Sequence, residues 1–232
     1  MVLPLAYGKC PLPQAKDLTM VVLDLDGTLC NTHEAIRAAL RAALGRDLAC
    51  EEWTDYALAA RYGITPAELH TILRLHEVLQ NAAIEPGARD AILELRELGH
   101  PIGVVSGRGW HPDGIKLTRD WLSDQRLPLD FVQIVAARGS FRGRADPSAI
   151  EKCRAISMLT KGHGPIDAYV EDFVEHLGRA HVAGLVHTPV VFSRPWNAAA
   201  GPEPAFARVT SFAELPSLIG APKAHARVVR HQ

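Results

Sequence analysis

The chain has 232 residues, 47% of them hydrophobic and 22% charged, which is the composition of an ordinary globular protein with a buried core. Its 25 lysine and arginine residues nearly balance 26 aspartate and glutamate residues, which argues against a general attraction to nucleic acid or to an anionic membrane. No secretory signal and no run of about 18 apolar residues occurs, so we expect a cytoplasmic protein that does not enter a membrane.

The spacing of cysteine and histidine argues against a zinc site. The four cysteines are scattered without a C-x-x-C pair, and the eleven histidines include no H-x-x-x-H pair. We therefore expect reduced thiols, as in a reducing compartment. The cysteines are Cys10, Cys30, Cys50 and Cys153.

Apolar runs and helical periodicity alternate along the chain after an irregular leader at 1–18. Residues 20–25 form an apolar, β-branched run that is typical of a buried central strand. Thr65, with Glu68 three residues later, predicts a capped helix start. In chain order, the predicted elements are strand 20–25, helical segments 34–44, 51–80 and 88–98, strand 101–105, helix 116–123, strand 131–135, helix 148–159, strand 166–170, helix 174–183, strand 188–192 and helix 212–219.

Strands that alternate with helices of about ten residues predict an α/β fold, a Rossmann-like parallel sheet with helices on both faces. The region 33–85 is predicted to be helical without strands. We interpret it as a small all-helical cap inserted after the first strand. The predicted core then comprises residues 1–32 and 86–232.

Polar and charged residues follow three of the predicted strands directly. The motif D-x-D-G-T at 24–28 follows the first strand, S-G-R at 106–108 follows the second, and E-D at 171–172 follows the strand at 166–170. Lys152 lies in the first turn of the helix at 148–159. Ligands bind beyond the carboxyl ends of parallel strands, so we expect these residues to form one site.

The segment V-V-L-D-L-D-G-T-L at 21–29 resembles the first signature of the haloacid dehalogenase-like phosphatases. Ser106 matches their second motif and Lys152 their third, and Glu171 with Asp172 matches the fourth, 20 positions after Lys152. The resemblance covers residues 20 to about 197. Each motif alone is weak evidence, but the set in family order implies a phosphoryl-transfer site.

The resemblance implies a Mg²⁺-dependent reaction through an aspartyl-phosphate. Asp24 would be the nucleophile, and Asp26 would protonate the leaving oxygen and later activate water. Ser106 and Lys152 would hold the non-bridging phosphate oxygens. The side chains of Asp24 and Asp172 and the main-chain carbonyl of Asp26 would hold the metal. Candidate substrate contacts are Thr28, Gly107, Arg108 and Arg138.

Glu171 departs from the family pattern, because many relatives have aspartate there or glycine before the aspartate. The departure leaves open which of the two adjacent acids binds the metal directly. We expect Asp172 to be the direct ligand and Glu171 to be an outer partner.

The predicted cap contains side chains that could stack on a nucleobase, although packing is the commoner role at helical spacing. They are Trp53, Tyr56, Arg61, Tyr62, His70 and His76. A finer resemblance is to bacterial nucleotidases related to 5′(3′)-deoxyribonucleotidases and to the phosphatase domain of polynucleotide kinases. The residues that carry it are Thr118, Trp121, the basic loop with Arg138, Arg142 and Arg144, and the segment Arg194-Pro195-Trp196-Asn197. Trp121 is expected to pack its helix on the sheet.

These observations favour hydrolysis of a small phosphomonoester, such as a nucleoside monophosphate. Removal of a terminal phosphate from a nucleic acid end is an alternative, against which the near-zero net charge argues. A non-catalytic phosphate-binding module with the same fold is a third interpretation, and the presence of both Asp24 and Asp26 argues against it.

Overall fold

The computed structural model describes residues 20–54, 57–135, 147–161, 165–198 and 206–220. The strands in these ranges are β1 (Val21–Leu23), β2 (Cys30–Asn31), β3 (Ala83–Ile84), β4 (Ile102–Ser106), β5 (Phe131–Ile134), β6 (Ile166–Glu171), β7 (Val186–Phe192) and β8 (Ala207–Val209). Six of them form one sheet in the order β5-β4-β1-β6-β7-β8, with every pairing parallel. The predicted parallel sheet is confirmed.

The side chains of β1 alternate between the two faces of this sheet. Val21 and Leu23 pack into one apolar cluster, whereas Val22 packs into the other. The alternation follows from the two-residue period of a strand. Because both faces are covered, the strand is a continuous apolar run rather than an alternating one, which is why its sequence indicated a central position.

Helices cover both faces. Those in the described ranges are α1 (Thr32–Leu44), α2 (Leu58–Tyr62), α3 (Pro66–Leu75), α4 (Val78–Asn81), α5 (Ala88–Glu97), α6 (Gly114–Gln125), α7 (Pro147–Thr160), α8 (Val174–Val182) and α9 (Leu215–Ile219). Residues of α5, α6 and α9 pack into the cluster with Val21, and residues of α7 and α8 into the cluster with Val22. No helix within the described ranges combines the length and the apolarity needed to cross a bilayer.

The segment 33–85 was predicted to contain no strand, and this prediction is wrong at β3. Ala83 and Ile84 pair antiparallel with Asn31 and Cys30. The resulting two-stranded ribbon brings together the segment before α1 and the segment after α4. A pair only two residues long has no periodicity that a sequence pattern could reveal. The division into a core and a cap at 33–85 stays a prediction.

Element boundaries differ from the predicted ones mainly where glycine and short segments intervene. The predicted helical stretch 51–80 is divided at Gly63, which has a left-handed backbone, and again at Glu77. Thr65 and Glu68 form the predicted capping box at the start of α3. The strand β8 was not predicted, because its three residues follow no clear apolar pattern.

Candidate active site

Three strand ends meet at one edge of the sheet. The strand β1 lies between β4 and β6, and all three run parallel. The backbone N–H of Asp24, the residue after β1, donates to the carbonyl of Val170 on β6 at 2.8 Å. Asp24 is thereby placed next to Glu171 and Asp172 at the end of β6, and next to Ser106 at the end of β4. The topology thus brings three of the predicted motifs together.

Asp24, Glu171 and Asp172 form a buried acidic cluster. A carboxylate oxygen of each lies within 4.8 Å of the others, and all three residues are buried. Lys152 reaches the cluster from α7, with its Nζ 2.7 Å from Asp24 Oδ1 and 2.7 Å from Glu171 Oε2. Three carboxyl groups therefore face one ammonium group. Even with the His176 imidazole, which lies 3.0 Å from Glu171 and is charged only when protonated, the cluster has an excess of negative charge.

The pKa values of the cluster reflect this imbalance. Burial, followed by the charge of Glu171, raises the pKa of Asp24 to about 7 even though Lys152 opposes the shift. Burial and the neighbouring Glu171 and Asp24 raise the pKa of Asp172 well above its ordinary value. Such shifts show that a full set of ionised carboxylates is costly here without a further cation.

Glu171 has a different environment from the two aspartates. Its Oε2 accepts hydrogen bonds from Lys152 and from the Tyr169 hydroxyl, the latter at 2.5 Å, and lies 3.0 Å from His176 Nδ1. Its Oε1 accepts from the backbone N–H of Phe173 at 3.2 Å. Burial would raise the pKa of Glu171, but Lys152 and His176 outweigh it and hold that pKa well below the ordinary value. Both oxygens of Glu171 are thus occupied by protein donors.

Asp26 lies outside this cluster and is paired with Arg108. Arg108 is fully buried, and its Nε and Nη2 lie 2.9 Å from Asp26 Oδ2 and 2.5 Å from Asp26 Oδ1. The Thr32 hydroxyl donates to Asp26 Oδ1 at 2.8 Å. Burial would raise the pKa of Asp26, but the Arg108 guanidinium and the Thr32 hydroxyl lower it below the ordinary value. Arg108 was expected at the substrate, which stays a prediction, and the structure pairs its guanidinium with Asp26.

Gly27 permits the close approach of two loops. Its φ of +75° lies in the left-handed region, which glycine adopts without strain. A Cβ at this position would lie 2.5 Å from Asp172 Oδ2 and 3.3 Å from the Trp196 ring. The glycine between Asp26 and Thr28 is therefore required both by its backbone conformation and by the space that Asp172 occupies.

Two hydroxyl groups at the site are buried without a hydrogen-bond partner. Thr28 Oγ1 and Ser106 Oγ are inaccessible to solvent, and neither is bonded to any protein atom in the described ranges. Buried polar groups normally have partners. Hydroxyl groups of this kind suit the oxygen atoms of a bound anion, the role that the sequence predicted for these positions. A Cβ at Gly107 would lie 3.4 Å from Ser148 Cβ and 3.7 Å from Lys152 Cε, so the glycine lies beside the start of α7. Arg138, Arg142 and Arg144 lie outside the described residues.

Trp196 and Asn197 support the acidic cluster in a way that sequence reasoning missed. The Trp196 indole N–H donates to Asp172 Oδ2 at 2.8 Å, and the Asn197 amide donates to the carbonyls of Asp172 and Phe192, each at 2.8 Å. The segment R-P-W-N at 194–197 was noticed only as part of a finer resemblance. Its position after an apolar strand, at the same edge of the sheet, was the available signal.

The aromatic residues of the predicted cap divide into packing residues and residues near the site. Tyr62 is buried, and its hydroxyl contacts the backbone of Leu48, as a packing residue would. Trp53 and His33, by contrast, contact the Trp196 ring, with ring centroids 6.4 Å and 5.4 Å away. The sequence placed Trp53 among the candidates for stacking but did not single out His33. Tyr56 lies outside the described residues.

Comparison with known proteins adds a family assignment. The model of the haloacid dehalogenase-like hydrolases matches residues 18–166, well over half of the chain. No curated protein matches the chain in sequence. Three solved structures, each with a TM-score between 0.53 and 0.58, share the fold.

One of these structures is a hydrolase of subfamily IA, variant 1, from Geobacter sulfurreducens, which is 21% identical with a TM-score of 0.53 over 88% of this chain and 97% of that one. A haloacid dehalogenase-like hydrolase from Deinococcus radiodurans, with bound phosphate and sodium, is 21% identical with a TM-score of 0.58 over 87% and 95%. A dehalogenase with an intermediate complex is 18% identical with a TM-score of 0.56 over 90% and 99%. At these identities the likeness establishes a shared fold and no particular substrate.

Proposed function

The chain belongs to the haloacid dehalogenase-like hydrolase family, and from this premise we propose that it is a Mg²⁺-dependent phosphomonoester hydrolase with Asp24 as the nucleophile. The observation that carries the proposal is the buried acidic cluster of Asp24, Glu171 and Asp172, in which one lysine faces three carboxyl groups. A divalent cation would remove that imbalance, and a phosphate ester, which is itself an anion, needs such a cation to approach a carboxylate.

The residues present fit Mg²⁺. Carboxylate and carbonyl oxygens are the ligands that this ion prefers, and we propose the side chains of Asp24 and Asp172 and the main-chain carbonyl of Asp26 as its ligands. Glu171 would act from outside this set, because its oxygens already accept from Lys152, Tyr169 and Phe173. Bound Mg²⁺ would neutralise negative charge on the phosphoryl oxygens.

In the first step, a carboxylate oxygen of Asp24 attacks phosphorus while the bond from phosphorus to the leaving oxygen breaks. Asp26, whose side chain is about a third exposed, takes up a proton from solvent when the anionic substrate binds and passes it to that leaving oxygen. An aspartyl-phosphate remains on Asp24. In the second step, water attacks the same phosphorus, Asp26 takes the proton of the water, and inorganic phosphate leaves with Asp24 regenerated. Lys152 and the hydroxyls of Ser106 and Thr28 would stabilise the phosphoryl oxygens throughout.

Dehalogenation is the second candidate, because dehalogenases share this fold and also use a carboxylate nucleophile. We favour phosphoryl transfer because of the charge of the site. A 2-haloacid would add one negative charge and no cation to these acids, whereas the phosphatase reaction employs a divalent cation that offsets the charge of the substrate.

We further propose a nucleoside monophosphate as the substrate. What supports this class is the pair of half-buried rings of Trp196 and His33 beside the loop that carries Gly27, since aromatic rings can stack on a base. Trp53 is buried and packs against Trp196. A terminal phosphate of a nucleic acid is the alternative in the same chemistry, and a non-catalytic phosphate-binding module is the alternative outside it. A cytoplasmic location and the absence of membrane partners stay predictions.

The first experiment is turnover of p-nitrophenyl phosphate with Mg²⁺ and with chelator, compared with chloride release from a 2-chloroacid. Mg²⁺-dependent release of phosphate that is absent in Asp24→Asn supports the proposal. Chloride release without phosphatase activity would favour the dehalogenase, and phosphate binding without any turnover would favour the binding module. A panel of nucleoside monophosphates, sugar phosphates and 3′-phosphorylated oligonucleotides then identifies the substrate class by kcat/KM.

A further inference from the structure

Arg108 is the most deeply buried cation at the site, and Asp26 occupies two of its donors. The guanidinium contacts both carboxylate oxygens, at 2.9 Å through Nε and at 2.5 Å through Nη2, while the residue has no exposed surface. Two parallel hydrogen bonds of this kind define the orientation of the carboxylate as well as its distance. Two of the five guanidinium donors are therefore directed at Asp26.

The start of α6 holds Arg108 in this position. Arg108 Nη1 lies 3.4 Å from the Thr118 hydroxyl, which donates to the carbonyl of Gly114 at 2.6 Å. Gly114 itself packs so closely that a Cβ would lie 2.1 Å from the Arg108 carbonyl oxygen. On its other side, Nη2 lies 3.7 Å from Cys30 Sγ. The guanidinium is therefore held by contacts from both α6 and β2.

The contacts of Asp26 leave one oxygen with capacity for a proton. Oδ1 accepts from both the Thr32 hydroxyl and Arg108 Nη2, whereas Oδ2 accepts from Arg108 Nε. A carboxylate oxygen has two acceptor sites, so Oδ2 retains one when Arg108 is bound. Thr32 and Arg108 thus orient the side chain without using all of its acceptor capacity.

We propose that Arg108 is a positioning residue that presents Asp26 Oδ2 to the leaving oxygen, and that it does not contact the substrate. The proposal rests on the proposed function, in which Asp26 transfers the proton. Through Thr118, the proposal makes α6 part of the catalytic apparatus. This helix would touch neither the metal nor the phosphate. The proposal also connects the S-G-R pattern to the first residue of the T-x-x-W pattern, through the contact between Arg108 and Thr118.

The test uses leaving groups that differ in their need for a proton. Dinitrophenyl phosphate releases dinitrophenolate, which is stable as an anion. Phenyl phosphate releases phenolate, a much poorer leaving group that needs protonation of its oxygen. Because Asp26 also acts in the second step, which is common to both esters, the quantity to compare is kcat/KM, which reports formation of the aspartyl-phosphate. In Arg108→Met, we expect kcat/KM for phenyl phosphate to fall on the order of 10²-fold and kcat/KM for dinitrophenyl phosphate to fall less than about threefold. Arg108→Lys should recover part of the loss, because lysine keeps the charge but not the paired geometry.

A double-mutant comparison separates positioning from a merely structural role. In the Asp26→Asn background, Arg108→Met should cause no further loss with phenyl phosphate, since its effect acts through Asp26. An equal loss of kcat/KM for both leaving groups, or an undiminished effect in the Asp26→Asn background, would overturn the inference. Arg89→Met is the matched control, because Arg89 is exposed and bonds only the carbonyls of Gln125 and Arg126 among the described residues.

Thr118→Val provides a milder variant if Arg108→Met does not fold. It keeps the shape of the side chain, removes the hydroxyl beside Nη1, and should lower kcat/KM for phenyl phosphate more than for dinitrophenyl phosphate. Equal effects on the two substrates would count against the inference. If the wild type turns over neither ester, both the proposed function and this inference are overturned. If the wild type is active but the variants turn over both esters at the wild-type rate, the inference alone is overturned.

Discussion

Asp24 and Asp26 are two residues apart on one loop, yet their surroundings are opposite. Asp24 lies among other acids with a single lysine, and its pKa is raised to about 7, first by burial and then by Glu171. Asp26 has an arginine and a threonine hydroxyl of its own, and its pKa is lowered despite burial. Asp24 shares its lysine with Glu171, whereas the arginine of Asp26 pairs with no other acid among the described residues. The comparison teaches that environment, more than residue type, separates the nucleophile at a metal site from the group that handles protons.

Replacing the nucleophile should produce the largest effect. Asp24→Asn should lower kcat at least about 10⁴-fold, because the amide cannot attack phosphorus. It should leave the metal-free protein as stable as the wild type or slightly more so, since it removes one acid from a cluster with excess negative charge. Phosphate release and urea denaturation measure the two quantities. Retained turnover would show that another residue is the nucleophile.

The same change two residues later should behave differently. Asp26→Asn should lower kcat by about 10²- to 10³-fold with little change in Mg²⁺ affinity, because only its side chain changes and the carbonyl remains. It should also cost roughly 2–4 kcal/mol of stability, because the buried Arg108 loses its charged partner. Denaturant unfolding and calorimetric Mg²⁺ titration test both points. A loss of metal affinity equal to that of Asp24→Asn would contradict the division of roles.

A change at Trp196 tests how the protein supports Asp172 as a proposed metal ligand. Trp196→Phe keeps the ring contacts with Trp53 and His33 but removes the N–H that bonds Asp172 Oδ2. We expect Mg²⁺ affinity to fall about 10- to 100-fold, the usual cost of losing a hydrogen bond to a metal ligand. Trp110→Phe is the control, since Trp110 stacks on His70 in a separate cluster. Equal losses in both variants would deny the hydrogen bond a specific role.

The smallest predicted effect concerns pH and the metal together. Asp24 has a raised pKa in the folded protein, so its contribution to stability is complete below the unfolded value of 3.8 and is lost as the pH rises through about 7. Asp26, with a lowered pKa, has the opposite sign and loses its contribution as the pH falls. We expect Mg²⁺ to raise the Tm by a few degrees at about pH 8 and by less at about pH 5.5, where protons compete for the same oxygens. Thermal unfolding at both pH values checks this, and an equal rise at the two would place the metal elsewhere.

Local patterns were enough to predict much of the fold. The apolar, β-branched runs and the helical periodicity depend on residues close in sequence, so the parallel sheet with helices on both faces was predicted and confirmed. Ribbon β2–β3 and strand β8 were missed because two or three residues carry no measurable period. The gathering of Asp24, Lys152 and Asp172 was inferred from a general property of such sheets, the meeting of parallel strand ends at one edge.

The sequence by itself determined which elements form and which acids stand at the strand ends, because those signals are local. Only the tertiary structure decided what each acid contacts. Arg108 is 82 residues from Asp26, and Trp196 is 24 residues from Asp172, so no spacing rule connects them. Burial makes these contacts decisive, because the pKa of an acid removed from water depends mainly on the few groups that touch it.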